Sequence, residues 1–480
     1  MGKACCRVPV SPIPATLIEC DADENGPKKD TAIAVSLELE PVANVQAPKR
    51  VLKDGVHWYN LASFLACSFI TIAAFVFINT AQSFVVVDRL KWPRDALGRV
   101  QGNLSTVDVM VAAVLSIVWG VISDRVGRRP VFTAGFMLMS LACMAYPYAR
   151  SVYALQPKES LVTSLIGMRM LFACGAAAAA DMLTVVLGDY AAEGMRGRLA
   201  GLMGLSTGLG ACFGAFVLAR IPTRMRKSGD EDSIIVSFQI TSMLLTSAAM
   251  VAAIGIRTAS ASSQSSREKS LRCWWFKMVE GGRAASRNWA LVAAYLGGFV
   301  ARADSILLVV FLPPWILGSS SDPGFTDTDA KKLVSTLSGI SHLTAFLGAP
   351  LVGIIADRMG GPRKALLAPA VLGTFAYLGM FACSDPRSKV VYALAALQGL
   401  AQIGMVIISM ALVANEAPPS VRGAVSGMYS MAGALGIIVV GKLGGILADE
   451  WRKTSPFLIV AIANIVLVGL LLMFNYKKSQ

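Results

Sequence analysis

Two ionisable side chains stand two residues apart in the middle of a long apolar run, Arg302-Ala-Asp304. Charge held in hydrocarbon is costly and is retained where it binds, relays or clamps something. Residues at i and i+2 point to different sides of a helix, so these two do not form a self-contained pair. One is expected to face an internal cavity and the other a neighbouring helix. The chemistry open to them is proton exchange at Asp304, with Arg302 holding an anionic group or tuning Asp304. The alternative is a structural clamp between helices.

Four further charges lie inside apolar runs: Asp108, Arg169, Asp181 and Lys442. Arg169 and Asp181 share one run but lie about 18 Å apart along a helix, too far to pair with each other. Arg169 is expected to meet Asp108 or a solute, and Asp181 to serve as a gate or second proton site. Lys442 is near a run's end, where it can snorkel. His342 nearly mirrors Asp108 in the second half and reads as a packing residue or a relay. Gln398, Gln402, Asn79 and Gln82 add neutral polar groups, and Phe75, Phe77, Phe84 and Phe172 add aromatic surface. A mostly apolar cavity with a few such groups suits a small amphipathic organic solute.

The elements that must position these residues are helices. Hydrophobic residues make up 55% of the 480 positions and charged residues 15%, and the mean hydropathy is +0.60. Twelve apolar runs, each long enough to cross a bilayer as helix, centre near Phe69, Val111, Met137, Phe172, Gly208, Leu244, Ala301, Leu343, Val371, Gln402, Ala434 and Val466. Strand-period alternation is absent, and backbone groups in lipid must be satisfied within the segment. The fold class is therefore an all-α membrane protein of twelve transmembrane helices.

Net charge is +14. The bases concentrate on the side that carries the N-terminus, as the positive-inside rule expects of a cytoplasmic face, with both termini there. The excess reads as topology and attraction to anionic lipid rather than as a nucleic-acid footprint. Cys67, Cys143, Cys174 and Cys212 lie within runs, Cys5, Cys6, Cys20 and Cys273 on the cytoplasmic side, and Cys383 alone near the outside, which is no disulfide framework. The sequence holds no metal-ligand cluster, nucleotide-binding loop or nucleophile with a base, so no metal, cofactor or enzymatic activity is expected.

Four units follow from the pattern. Residues 1–56 form an aperiodic polar tail, 57–256 and 289–480 two six-helix bundles, and 257–288 a cytoplasmic linker. The linker's Leu271-Arg-Cys-Trp274-Trp275-Phe276-Lys277-Met278 reads as an interfacial helix. The start, Met1-Gly2-Lys3-Ala4-Cys5-Cys6, is compatible with acylation at Gly2, Cys5 and Cys6.

One short stretch recurs in each half. Gly120-Val-Ile-Ser-Asp124-Arg125-Val-Gly127-Arg128-Arg129 has its counterpart in Gly353-Ile-Ile-Ala-Asp357-Arg358-Met-Gly360-Gly-Pro-Arg363-Lys364. A second landmark repeats at nearly the same offset: Asp189-Tyr-Ala-Ala-Glu193-Gly-Met-Arg196-Gly197 and Asn415-Glu416-Ala-Pro-Pro-Ser-Val-Arg422-Gly423. The chain is a duplicated membrane unit, which points to a transporter. Asp124, at a helix end, can meet the positively polarised start of the eleventh helix while Arg128 and Arg129 stay among headgroups. Such a contact gates one side of the molecule or only fixes its topology.

Over residues 57 to 475 these features resemble the major facilitator superfamily. The repeated stretch looks like that family's loop between helices two and three, and Arg169-Met-Leu-Phe172-Ala173-Cys-Gly175 resembles its fourth-helix motif. Gly201, Gly204, Gly208, Gly210 and Gly214 resemble the fifth-helix motif of drug:proton antiporters, with Leu209 and Cys212-Phe213 in place of its Pro and paired Gly. The resemblance implies two pseudo-symmetric bundles rocking about a cavity lined by helices one, four, seven and ten. It implies a secondary transporter of a small organic solute, proton-coupled, a drug or metabolite exporter, working as a monomer in the plasma membrane or an organelle membrane. An organic-anion or monocarboxylate carrier is the alternative suggested by Arg169 and Arg302. A non-transporting receptor or scaffold of the same fold is the alternative from another class.

Overall fold

The computed structural model describes residues 52–53, 55–148, 158–192, 196–224, 230–257, 282–283, 288–319, 325–359, 362–417 and 422–477. The acylation sites, the N-terminal tail up to Val51 and most of the linker fall outside them. Twelve helices are long and apolar enough to cross a membrane. In the first half they are α1 Trp58–Phe84, α2 Leu97–Val126, α3 Arg128–Ala145, α4 Lys158–Tyr190, α5 Arg196–Phe216 and α6 Asp230–Gly255. In the second half they are α7 Trp289–Ile306, α8 Asp327–Arg358, α9 Leu367–Ala382, α10 Lys389–Glu416, α11 Arg422–Glu450 and α12 Ser455–Lys477. All twelve predicted runs are helices.

Their ends follow from local chemistry. Asn288, Thr326 and Ser388 cap α7, α8 and α10 by accepting from Ala290 N, Asp329 N and Val390 N, which satisfies amides that have no partner in the first turn. Gly127 joins α2 to α3 at φ 100°, a backbone state that a side chain makes costly, and this explains the glycine in the first copy of the repeat. Two helices change pitch: α1 continues as a π-helical turn, Val85–Arg89, and α7 as a π turn, Leu307–Phe311, followed by Leu312–Gly318 with Pro313 and Pro314.

Packing repeats between the halves. Contacts of α1 with α5 and α6, of α4 with α2 and α3, and of α3 with α6 have counterparts in α7 with α11 and α12, α10 with α8 and α9, and α9 with α12. The halves meet through α2 against α11 and α5 against α8. Of the glycines singled out on α5, Gly210 and Gly214 lie against α1 backbone, with Phe69 O and Ala73 O occupying the space a Cβ would need. Gly208 meets Phe346 of α8, and Gly201 and Gly204 face open space. Small residues here let helices approach closely where lipid provides no hydrophobic drive for association.

Candidate functional site

Two ends of the molecule can be told apart by their loops. The motif end carries the repeated turns after α2 and α8; the far end carries the turns after α1 and α7. At the far end the halves are fastened together. Asp449 of α11 accepts from the Gly98 and Arg99 amides at the start of α2, both at 2.8 Å. Arg94 Nη2 donates to both Asp327 carboxylate oxygens at 2.8 and 2.7 Å, and Arg99 meets Glu450. Lys442, at the same end, donates to Asn103 at 2.6 Å. Lys331 of α8, 4% exposed, pairs with Asp88 at 2.7 Å. Gly102 lies so close to Gly441 that a Cβ on Gly102 would sit 1.9 Å from the Gly441 carbonyl oxygen.

Below this seal lies a cavity of about 420 Å³. It starts at Ser105, Arg169 and Val309 and runs toward the motif end along α2 to Ser116 and along α4 to Ala180. Both halves line it. Arg169 is 1% exposed; its Nε donates to both Asp108 oxygens at 2.8 and 2.9 Å, and its Nη2 donates to Asp108 and to Asn79. Its guanidinium carbon is 5.6 Å from the Phe172 ring centroid, and Phe172 stands edge-on to Phe75. The expected meeting of Arg169 with Asp108 is therefore present, locked by α1, α2 and α4 together. The pair's charges cancel locally.

Arg302 is different. Its side chain lines the cavity and is exposed; among the described residues no ion pair or hydrogen bond engages its guanidinium. Asp304, two residues on, is turned away: it is 1% exposed and absent from the cavity wall. It faces Tyr377 of α9, which in turn neighbours Gln398 of α10 inside the second bundle. Gln402, one turn from Gln398, does line the cavity, as does His342. His342 donates from Nδ1 to the Ser338 carbonyl at 2.7 Å, which leaves Nε2 as its remaining polar atom. Asp181 lies beside Ser116 toward the motif end, with Oδ2 lacking a hydrogen-bond partner. Phe77 and Phe84 are core residues; Phe77 packs edge-on against Phe238. Gln82 bonds Gln101 rather than a cavity atom.

At the motif end, among the described residues, each half carries one matched ion pair. Arg128 Nε meets Asp189 at 3.2 Å, and Arg363 meets Glu416 at 2.5 Å. Each ties the turn after the second helix of its half to the end of the fourth. Arg128 is engaged by Asp189, while Arg125, Arg129 and Arg358 are exposed. Gly120 and Gly353 meet open space. The side chains of Asp124, Asp357, Arg196 and Arg422 lie outside the described residues. Reversing one charge, Asp189→Lys, is expected to lower the thermal midpoint by an amount matching a partly exposed pair, about 1 kcal/mol or less. Adding Arg128→Asp restores it if the pair itself carries the effect.

The sequence left two groups unmarked. Asp88 and Lys331 sit at run ends, where charges read as interfacial, and Tyr377 reads as an ordinary apolar-run residue. Nothing in spacing distinguishes them; only the fold brings them to their partners.

Two six-helix halves, sealed at one end around a cavity lined by both, define a two-bundle membrane carrier. The sequence pattern of the Major Facilitator Superfamily matches residues 60–318 and 294–480, and the chain belongs to that family. Magnetosome protein MamH of Paramagnetospirillum magneticum is 21% identical over 386 residues, covering 80% of this chain and 85% of that protein. Multidrug resistance protein MdtG of Citrobacter koseri is 30% identical over 196 residues, 40% of this chain, and the match spans about half of that relative's length (46%). The crystal structure of nucleoside transporter NupG superposes with a TM-score of 0.63 at 16% identity, covering 86% of this chain and 98% of that one. The protein is an integral multi-pass membrane transporter of that family.

Proposed function

We propose that the chain moves a small organic solute bearing an anionic group, coupled to protons, by alternating access. The observation that carries this reading is Arg302: a guanidinium exposed inside the cavity with no carboxylate engaged to it, beside an Arg169 already neutralised by Asp108. An uncompensated cation in a low-dielectric cavity favours an anionic ligand. Phe75 and Phe172 offer apolar and aromatic surface for the rest of the solute, and His342 and Gln402 offer polar contacts. With the motif end placed in the cytoplasm, as its basic turns favour, the far-end seal makes this the inward-facing state. The kinship with a multidrug resistance protein supports a second emphasis, export of amphipathic drugs or metabolites, to which the aromatic wall is also suited.

The test uses the full chain in vesicles and a panel of radiolabelled organic anions (p-aminohippurate, benzoate, nicotinate) with their neutral amides, against protein-free vesicles. Wild type is expected to exchange an anion and not its amide. Arg302→Gln should lower that exchange by about ten- to 150-fold, the value of one charge-assisted hydrogen bond of ~1.5–3 kcal/mol. Equal handling of acid and amide by wild type and variant removes the anion reading.

A further inference from the structure

Resting on that reading, the geometry points to Asp304, with Tyr377 and Gln398, as a proton site held behind the cavity wall, which makes the cycle an electroneutral symport of one proton with one solute anion.

The site is built from three helices of one bundle. Asp304 of α7 is 1% exposed, and Tyr377 of α9 and Gln398 of α10 are 0% exposed. Asp304 Oδ1, Tyr377 Oη and both side-chain polar atoms of Gln398 are sealed from solvent, and none makes a hydrogen bond of ordinary geometry. Native interiors leave few such atoms unpaired, and those that remain call for an explanation. Tyr377 lies between Asp304 and Gln398, and no hydrogen bond of full geometry closes the set, which fits poorly with a permanent clamp between helices. The set fits a site whose occupant comes and goes.

A proton is the occupant that the surroundings favour. Tyr377 is the titratable side chain set against Asp304 among the described residues; Arg302 looks the other way, and Lys442 of α11 is held by Asn103 at the far end. The part of α12 inside the membrane carries no charge. An ionised carboxylate sealed there without a cation is costly. The neutral acid is not, because it offers one O–H and one carbonyl to a phenol and an amide. Release needs water, and Gln398 and Gln402, one turn apart on α10, connect this cluster to the cavity wall. The step is simple: the carboxyl O–H gives its proton to water arriving from the cavity, leaving the carboxylate, and no other bond changes.

Charge balance then sets the coupling. Asp108 and Arg169 cancel each other here. An empty carrier holds Arg302 cationic and Asp304 anionic, which offset each other, with Asp181 and the other fixed charges common to the empty and loaded forms. A fully loaded one adds a solute anion on Arg302 and a proton on Asp304, so its net charge is the same as that of the empty carrier. Either half-loaded carrier would drag one unbalanced charge through the sealed state, where low dielectric makes it costly. Both groups ride on α7, on opposite faces, just before its π turn at Leu307–Phe311. That break in helix geometry, of a kind that marks functional hinges, lets the segment carrying them shift against the part fixed at the far end.

Two measurements on the full chain in vesicles test this. In the first, infrared difference spectra across a pH jump, with no solute present, are expected to show a protonated-carboxyl C=O band that Asp304→Asn removes and Tyr377→Phe shifts. In the second, uptake of p-aminohippurate should follow an imposed pH gradient and ignore an imposed potassium-valinomycin potential. In Asp304→Asn, with the folded size-exclusion profile retained, gradient-driven accumulation should fall to the no-gradient level. The inference is overturned if the band survives in Asp304→Asn, is missing from wild type, or if uptake responds to membrane potential. It is also overturned if Asp304→Asn still accumulates solute on a pH gradient. Absence of anion exchange by wild type overturns the transport reading instead, and the spectroscopic band then still decides whether Asp304 holds a proton.

Discussion

Asp108→Ala is expected to be the most destabilising single substitution in the cavity wall, because it strands Arg169. That guanidinium is buried to 1% exposure and donates to Asp108 through both Nε and Nη2; its Nη1 already lacks a partner. Removing one member of a buried pair typically costs about 3–5 kcal/mol, since the other charge remains desolvated. Asn79, its remaining polar partner, is neutral and cannot replace a carboxylate. Thermal unfolding in detergent, followed by size-exclusion recovery, should show a marked loss for Asp108→Ala. The double variant Asp108→Ala/Arg169→Met should regain most of it, because replacing a buried pair by apolar residues of similar volume is often neutral or stabilising. If both variants melt alike, the pair's role is not the avoidance of an uncompensated charge.

A second large effect is expected from Gly102→Leu, and this one acts on conformation rather than on folding. The α2–α11 crossing at the far end is so close that the Gly102 Cβ position is 1.9 Å from the Gly441 carbonyl oxygen and 2.9 Å from its carbon. Helices bearing larger side chains need interaxial distances of about 8–10 Å. The strain falls only on the state in which this end is closed. An overpacking cost of ~1–3 kcal/mol would shift the ratio of closed to open far ends by about five- to 150-fold. Spin labels at Ala96 and Trp451, on opposite halves at that end, should report a longer distance in the variant. The thermal midpoint should move less than the distance distribution does. An unchanged distribution would mean that the helices absorb the side chain without parting.

The fold was legible because its signal is strong and redundant. Twelve runs of apolar residues cannot be loops or strands in lipid, and the repeated turn after α2 and α8 reveals the duplication. The polar chemistry was legible in part. Arg169 and Asp108 could be matched because both are single charges at one depth on helices that the duplication brings together. The different fates of Arg302 and Asp304 followed from helical period, but which one faced the cavity did not, because that depends on the rotation of α7 within its bundle. The far-end seal was illegible for another reason. Asp449, Arg94, Asp327 and Lys331 stand at helix ends, where charge is ordinary, and only the approach of the two halves turns them into a closure.

That closure has a directional consequence for pharmacology. Where Gly102 abuts Gly441 and Asp449 caps the first amides of α2, backbone lies against backbone and the two helices leave no room between them at that crossing. A membrane-impermeant competitor should therefore inhibit this conformer from one compartment only, the one that the basic turns face. The same compound supplied from the other compartment must wait for the carrier to turn over, so its potency should vary with how fast the protein is cycling.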